Sequence, residues 1–229
     1  MAILSKTQID KLGERLKSGS PDEADLRELD EYRRSFGAAY EHVVGLVRGR
    51  LRLEPTGRPA KSTSSIVDKL RRESIRLTQI QDIAGCRLVV DDLDDQDEAV
   101  TSLVGMFPHA VVVDRRQKPS HGYRAVHIVV HVDGTLVEIQ VRTTLQHLWA
   151  EVSERFSDVV DPAIKYGGGP NAIARLLANE SRLISGLESD MMEMPLKAET
   201  VEATYAVVMR LLRLVSNLVK QDGPDGISH

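Results

Sequence analysis

The chain has 229 residues, of which 41% are hydrophobic, 28% charged and 4% aromatic, and its formal net charge is -4. Those proportions are ordinary for a globular protein and leave room for one domain with helical additions or for two small domains. The single cysteine, Cys86, excludes an internal disulfide framework and a multi-cysteine metal site, and no apolar run approaches the roughly 18 residues a membrane helix needs.

Met1-Ala2-Ile3-Leu4 lacks the charged-then-apolar form of a signal peptide, so a cytoplasmic location with no membrane partner is expected. Ser20-Pro21-Asp22-Glu23 reads as a helix start, with Ser20 as N-cap, Pro21 at the first helical position and Glu23 closing a capping box. Leu26, Leu29, Phe36, Tyr40, Val43 and Val47 then recur at threes and fours, which predicts one long amphipathic helix to about Arg52. Pro55-Thr56-Gly57-Arg58-Pro59 is expected to be a loop, and Ser62 to cap a second helix reaching about Glu73 with Ile66 and Leu70 buried. A strand is predicted within 80–90, a helix from about Asp94 to before Pro108, a short strand over 110–113 and a basic loop over 114–121. Asp133-Gly134 marks the tight turn of a hairpin, and a further helix runs from Thr143 through Trp149 to about Val159. A glycine-rich break at 167–169 precedes two more helices, near 171–192 and 196–220. Helices, then a mixed β/α core, then helices predict an α+β fold, with one largely antiparallel sheet flanked by helices and helical extensions at both ends. The expected division is N-terminal helices over 1–52, a core over 53–160, and a C-terminal helical extension over 161–229 that packs on the core.

Charge is unevenly spread. Residues 48–76 hold nine Lys/Arg against three Asp/Glu, a net of +6 inside an acidic chain. Such a segment suits a bound polyanion, or is simply a solvated helix face. Lys61, Ser65 and Lys69 are spaced by fours, with Arg72 three further on, so a helix would line them along one face near its N-terminus. Asp82 precedes the predicted central strand, and Glu138 lies mid-strand in the hairpin. If those strands are neighbours, the carboxylates converge as a Mg²⁺ site that also uses substrate phosphates, and Glu138 can act as a general base. Taken singly, Asp82 reads as a turn residue and Glu138 as part of a wet strand face.

The hairpin GYRAVHIVVHVDGTLVEIQVRT alternates between an apolar side and a side bearing Tyr123, His127, His131, Glu138, Gln140 and Arg142. These are residues for stacking a base, bonding a phosphate or ribose, and taking a proton. Alternation puts Arg124 on the apolar side, where it is expected to snorkel at the strand's edge. His121, His127 and His131 lack a helix-type ligand spacing, so no structural zinc site is expected. Cys86 reads as a small buried hydrophobe, and Asp91, Asp92, Asp94 and Asp95 as a loop ending in a helix cap.

The succession GRPAKSTSSIVDKLRR, QDIAGCRLVV, HGYRAVHIVV and VEIQVRT closely resembles the synthetase domain of the RelA/SpoT homologues, over roughly residues 50–160. With no hydrolase or regulatory domain alongside, the chain resembles the small single-domain alarmone synthetases. YRRSFGAAYEHV, PTGRPAKST and RTTLQHLWAEVSE are most similar to the toxin branch of that group. The resemblance implies a nucleotidyltransferase-like fold, and Mg²⁺-dependent transfer of the β,γ-pyrophosphate of ATP to a ribose 3′-hydroxyl with release of AMP. It implies ATP binding by Arg58, Lys61, Ser65 and Lys69, with Arg72 continuing that face. It further implies metal binding by Asp82 and Glu138, activation of the hydroxyl by Glu138, stacking of the acceptor base on Tyr123 and an acceptor contact from His127. Gln140 and Arg142 share the acceptor side. Two departures stand out: Ala60 lengthens the usual R-P-K, and KPSH replaces the K-x-N that commonly precedes G-Y-R in guanosine-using members. Lys118 is therefore shifted and His121 stands for the asparagine. With Arg115 and Arg116 nearby, this favours the 3′-CCA end of tRNA as acceptor, with GDP or GTP as the alternative and an adenosine nucleotide or plain nucleotide binding behind them. Toxin membership would imply an antitoxin protein or domain as partner. The stripe Val207, Leu211, Leu214, Val215 and Leu218 is expected to pack on the core, with antitoxin binding as its second use.

Overall fold

A computed structural model describes residues 4–19 and 21–191; the predicted helix near 196–220 and its apolar stripe lie outside the described residues. In chain order the elements are α1 Lys6–Ser18, α2 Glu23–Arg34, α3 Gly37–Leu51, β1 Thr56–Arg58, α4 Thr63–Glu73, a 3-10 turn Leu77–Gln79, β2 Ala84–Val90, α5 Leu93–Met106, β3 Val111–Asp114, β4 Val126–Val132, β5 Thr135–Thr143, α6 Thr144–Val159, a 3-10 turn Ile164–Tyr166 and α7 Asn171–Met191. The strands make one five-stranded sheet in the order β1-β2-β5-β4-β3. The architecture is α+β with helices flanking the sheet, as the sequence predicts. No helix among the described residues is long and apolar enough to cross a membrane.

Several boundaries differ from expectation for local reasons. The first long helix is two helices. Ser35 turns its hydroxyl back to the Tyr32 carbonyl at 2.6 Å, competing with the helical ladder. Phe36 packs edge-on against Tyr32, with ring centroids 5.1 Å apart. The α2 cap is Asp22, whose carboxylate accepts the Asp25 amide at 2.8 Å, and not Ser20, which lies outside the described residues. An acid three residues after a polar cap occurs in both frames, and the later one wins because Asp25 also accepts Arg15 Nε at 2.6 Å. The helix α1, unforeseen in the sequence, starts from a capping box made by Ser5 and Gln8.

The expected loop at 55–59 contains β1, antiparallel to β2 with Gly57 opposite Cys86. A Cβ on Gly57 would fall 2.4 Å from the Gly85 carbonyl oxygen, so this approach requires glycine. Flanking prolines are compatible with a three-residue edge strand. The helix α4 follows expectation: Ser62 accepts the Ser65 amide at 3.3 Å, and Ile66 and Leu70 are buried. Asp92 caps α5 by accepting the Asp95 amide at 2.9 Å.

Among the described residues the chain divides into two compact units. One is drawn from residues 4–19, 21–88, 99–113 and 127–141, the other from 89–98, 114–126 and 142–191. The first unit's core joins Leu12 and Leu16 of α1, Val43 and Val47 of α3, Ile66 and Leu70 of α4, and the inward residues of the sheet, among them Leu88, Ile128, Val130, Val137 and Ile139. Alternation along β2 is strict, one side buried and the other half-buried. The second unit's core gathers Leu148, Trp149, Val152 and Phe156 of α6 with Ile164 and Leu177, and Tyr123, Val160, Ile173 and Ile184 pack against it.

Candidate active site

In the first unit, Asp82 stands just before β2 and is held by two ammonium groups. Lys61 Nζ donates to Oδ2 at 2.6 Å and Lys69 Nζ to Oδ1 at 2.9 Å. Burial alone would raise the Asp82 carboxyl; the two lysines outweigh it and hold the group below its ordinary value. Lys61 is not a member of the helical row expected from its spacing. It precedes the Ser62 cap, and its backbone N–H donates to the Ile83 carbonyl at 2.6 Å, which carries its side chain to Asp82. Ser65 lies on the first turn of α4 and accepts from the Ser62 hydroxyl at 2.8 Å. Arg72 is exposed and donates to Glu73 at 2.7 Å. Arg58 belongs to β1, while its side chain lies outside the described structure.

Glu138 sits mid-strand on β5, next to β2, where its carbonyl oxygen would lie 3.0 Å from a Cβ on Gly85. Both its oxygens are engaged: His127 Nδ1 donates to Oε1 at 2.8 Å, and Gln140 Nε2 to Oε2 at 2.7 Å. Burial pushes this carboxyl up and the charge of Asp82 adds to that, but His127 and Gln140 prevail and keep it below the usual range. Glu138 thus feels the charge of Asp82, within a unit that also holds the two lysines. Buried Cys86 is pushed up to about 12, chiefly by burial.

The second unit holds the loop before the hairpin. Tyr123 is not part of β4, which begins at Val126; it forms an isolated bridge with Ser120. Arg142, expected on the polar, acceptor-binding side of the hairpin, is 3% exposed. It donates to the Tyr123 hydroxyl at 2.8 Å and lies 4.9 Å from the ring centroid. Strand parity holds there, but the polar side is covered at its far end. His121 and Lys118 are exposed. His121 has a left-handed φ of 54° and packs so closely on Gly167 that a Cβ there would meet its ring at 2.0 Å.

Sequence reasoning missed the residues that hold this loop. Ser181 of α7 donates to the Gly122 carbonyl at 2.6 Å and accepts from Arg124 Nε at 3.0 Å, so Arg124 is bonded rather than snorkelling. Arg124 Nη1 also donates to the Arg116 carbonyl. Trp149 Nε1 donates to the Leu177 carbonyl at 2.9 Å. Glu188, buried and pushed up mainly by burial, accepts from the Thr143 hydroxyl. The available signal was a helix whose apolar spacing, Ile173, Leu177 and Ile184, is interrupted by Ser181 and Glu188 on the packed side.

Known proteins agree with these observations. Residues 57–157 match the region found in RelA / SpoT proteins. The chain is 38% identical over 119 residues to an uncharacterized Mycobacterium tuberculosis protein, covering 50% of this chain and 44% of that one. Relative to the GTP pyrophosphokinase YjbM of Bacillus subtilis it is 32% identical over 167 residues, covering 66% of this chain and 75% of that protein. The crystal structure of small alarmone synthetase 1 from Bacillus subtilis bound to its product pppGpp superposes with a TM-score of 0.57 at 27% identity, over 76% of this chain and 97% of that one. The chain thus spans less than half the length of the mycobacterial relative but most of the small synthetases. It belongs to the RelA/SpoT synthetase family, as a homologue of the small alarmone synthetases.

Proposed function

We propose that this chain is an ATP pyrophosphokinase: it transfers the β,γ-pyrophosphate of ATP to the 3′-hydroxyl of a guanosine nucleotide and releases AMP. The observation that carries the reading is the pairing of Asp82, clamped by Lys61 and Lys69, with Glu138 inside the same unit. In the transfer the ribose oxygen bonds to the β-phosphorus as the bridge from that phosphorus to the α-phosphate oxygen breaks. Both charge neutralisation and positioning are needed for such a step. Lys61, Ser65 and Lys69 serve the donor phosphates, with Arg58 and Arg72 as further donor-binding residues. Glu138, ionised at neutral pH and oriented through both oxygens, accepts the hydroxyl proton. Tyr123 offers its ring to the acceptor base, with His127, Gln140 and Arg142 as acceptor-side groups.

The residues fit Mg²⁺. Asp82 already draws two cationic groups onto its two oxygens, and Asp82 and Glu138 supply hard oxygen donors to an ion that takes its remaining ligands from phosphates and water. Asp82 and Glu138 would hold it, and it would neutralise charge on the phosphate oxygens.

Guanosine nucleotides are favoured as acceptor by kinship to a GTP pyrophosphokinase and by the pppGpp-bound homologue. A second reading, that the acceptor is the 3′ end of tRNA and the chain a toxin with an antitoxin partner, is supported by the exposed Lys118 and His121 in the loop before Tyr123. Incubation with γ-labelled ATP and GDP, GTP, ATP or bulk tRNA separates the readings. Label in GDP or GTP supports the first, label only in RNA supports the second, and label in none overturns both.

A further inference from the structure

The helix α7 lies beyond the residues that match the family, yet it meets the acceptor loop through a single row of its surface. Leu177, Ser181 and Glu188 are spaced by four and seven, which puts them on one helical face. All three are buried, Ser181 to 2% exposure. From this row the Leu177 carbonyl takes the Trp149 indole N–H, and the Glu188 carboxyl takes the Thr143 hydroxyl at the cap of α6. Ser181 is the member of this row that hydrogen-bonds the loop itself.

That contact is double. The Ser181 hydroxyl donates to the carbonyl of Gly122 and accepts from the guanidinium of Arg124, the two residues on either side of Tyr123. Gly122 has a φ of 91°, and a Cβ there would lie 2.7 Å from Trp149 Cζ2 and 3.3 Å from the Leu177 carbonyl oxygen. Backbone in that region is strained for other residues and persists only where its surroundings hold it. Here the indole closes one side of Gly122, and the serine bond pins its carbonyl. A hydroxyl that both donates and accepts can tie a carbonyl to a guanidinium; a methyl group can do neither.

We propose that Ser181 is a positioning residue for the acceptor: by bridging Gly122 and Arg124 it sets the backbone on both sides of Tyr123 and so presents that ring to the acceptor base. This rests on the acceptor role given to Tyr123 above. It makes α7 a working part of acceptor binding and leaves donor binding independent of it.

Three variants test the assignment: Ser181→Ala, Ser181→Thr, and Ser189→Ala as a control. Ser189 is exposed on the same helix and, among the described residues, its hydroxyl bonds only the Ser185 carbonyl of that helix, at 3.0 Å. Loss of the bridge is expected to raise KM for the acceptor about tenfold, with KM for ATP unchanged, because both bonds of the bridge are lost and the effect falls on the acceptor side alone. Ser181→Thr, which keeps the hydroxyl, brings KM back towards wild type, and Ser189→Ala changes neither constant. Hydrogen exchange read on the 120–124 segment is expected to quicken in Ser181→Ala only. Equal rises in both KM values, an acceptor KM that threonine does not restore, or unchanged exchange in 120–124 would each overturn the proposal. If the wild-type chain labels no acceptor, the pyrophosphokinase reading fails by itself, and the exchange measurement still decides whether Ser181 holds the loop.

Discussion

The Asp82–Glu138 region of the first unit and the Gly122–Tyr123 segment of the second are held by different means. In the first, charge opposes burial. Two lysines keep Asp82 ionised, His127 and Gln140 keep Glu138 ionised, and both carboxyls fall below their ordinary values. In the second, packing and hydrogen bonds to uncharged acceptors dominate around Gly122 and Tyr123, and the buried carboxyl of Glu188 is pushed the other way. On the proposed function, the site for polyphosphate chemistry is stabilised by the charges it would use, whereas the segment for a planar base is stabilised mainly by shape.

The largest effect tests the chemical half. Glu138→Gln keeps the shape and the bond from His127 but removes the base, so pyrophosphate transfer is expected to fall by roughly a hundredfold to ten-thousandfold while ATP affinity survives. Single-turnover transfer and equilibrium ATP binding measure the two halves, and undiminished turnover would break the distinction. Next comes the packing half. Gly122→Ala sets a Cβ 2.7 Å from Trp149 at a left-handed φ, so a loss of about 2–3 kcal/mol in stability is expected. A thermal midpoint lower by about 4–12 °C would register it.

The third prediction separates the regions by sign. Asp82 and Glu138 have lowered folded values, so their contribution is complete above the unfolded carboxyl range, about pH 4, and is lost as pH falls through the folded values. Glu188 has a raised folded value, so its contribution is present below that range and is lost as pH rises through the folded value. Thermal midpoints followed from about pH 3 to 7 should show Asp82→Asn flattening the acid limb and Glu188→Gln easing the loss at higher pH. The same slope in both variants would erase the contrast. The smallest effect is that of Tyr123→Phe. It removes the hydroxyl that accepts from Arg142 but keeps the ring, so acceptor KM should rise by about threefold, the equivalent of roughly 0.5–1 kcal/mol.

Much of this site was legible in the chain. The Ser62 cap, the burial of Ile66 and Leu70, the Asp133-Gly134 turn and the alternation around Glu138 all follow from short-range rules, and the structure reproduces them. Other features were legible but misplaced. Periodicity ran straight through Ser35 because Phe36 and Tyr40 keep helical spacing on both sides of the break. Pro55 and Pro59 masked an edge strand whose partners, Gly85 to Arg87, lie far along the chain.

By itself, the sequence determined the order of the elements from the Ser62 cap to Val159, the α+β class, the polar face of the hairpin and the membership of Asp82, Lys69, His127 and Glu138 in one family of motifs. Each is a property of neighbours within a helical turn, a strand pair or a tight turn. Only the tertiary structure decided that Lys61 and Lys69 share one carboxylate across 21 and 13 positions, that Arg142 is buried against Tyr123, and that Ser181 reaches back 59 positions to Gly122. Such bonds carry no periodic signature. They exist because burial removes water from polar groups, and each group must then find whatever donor or acceptor the fold has brought within reach.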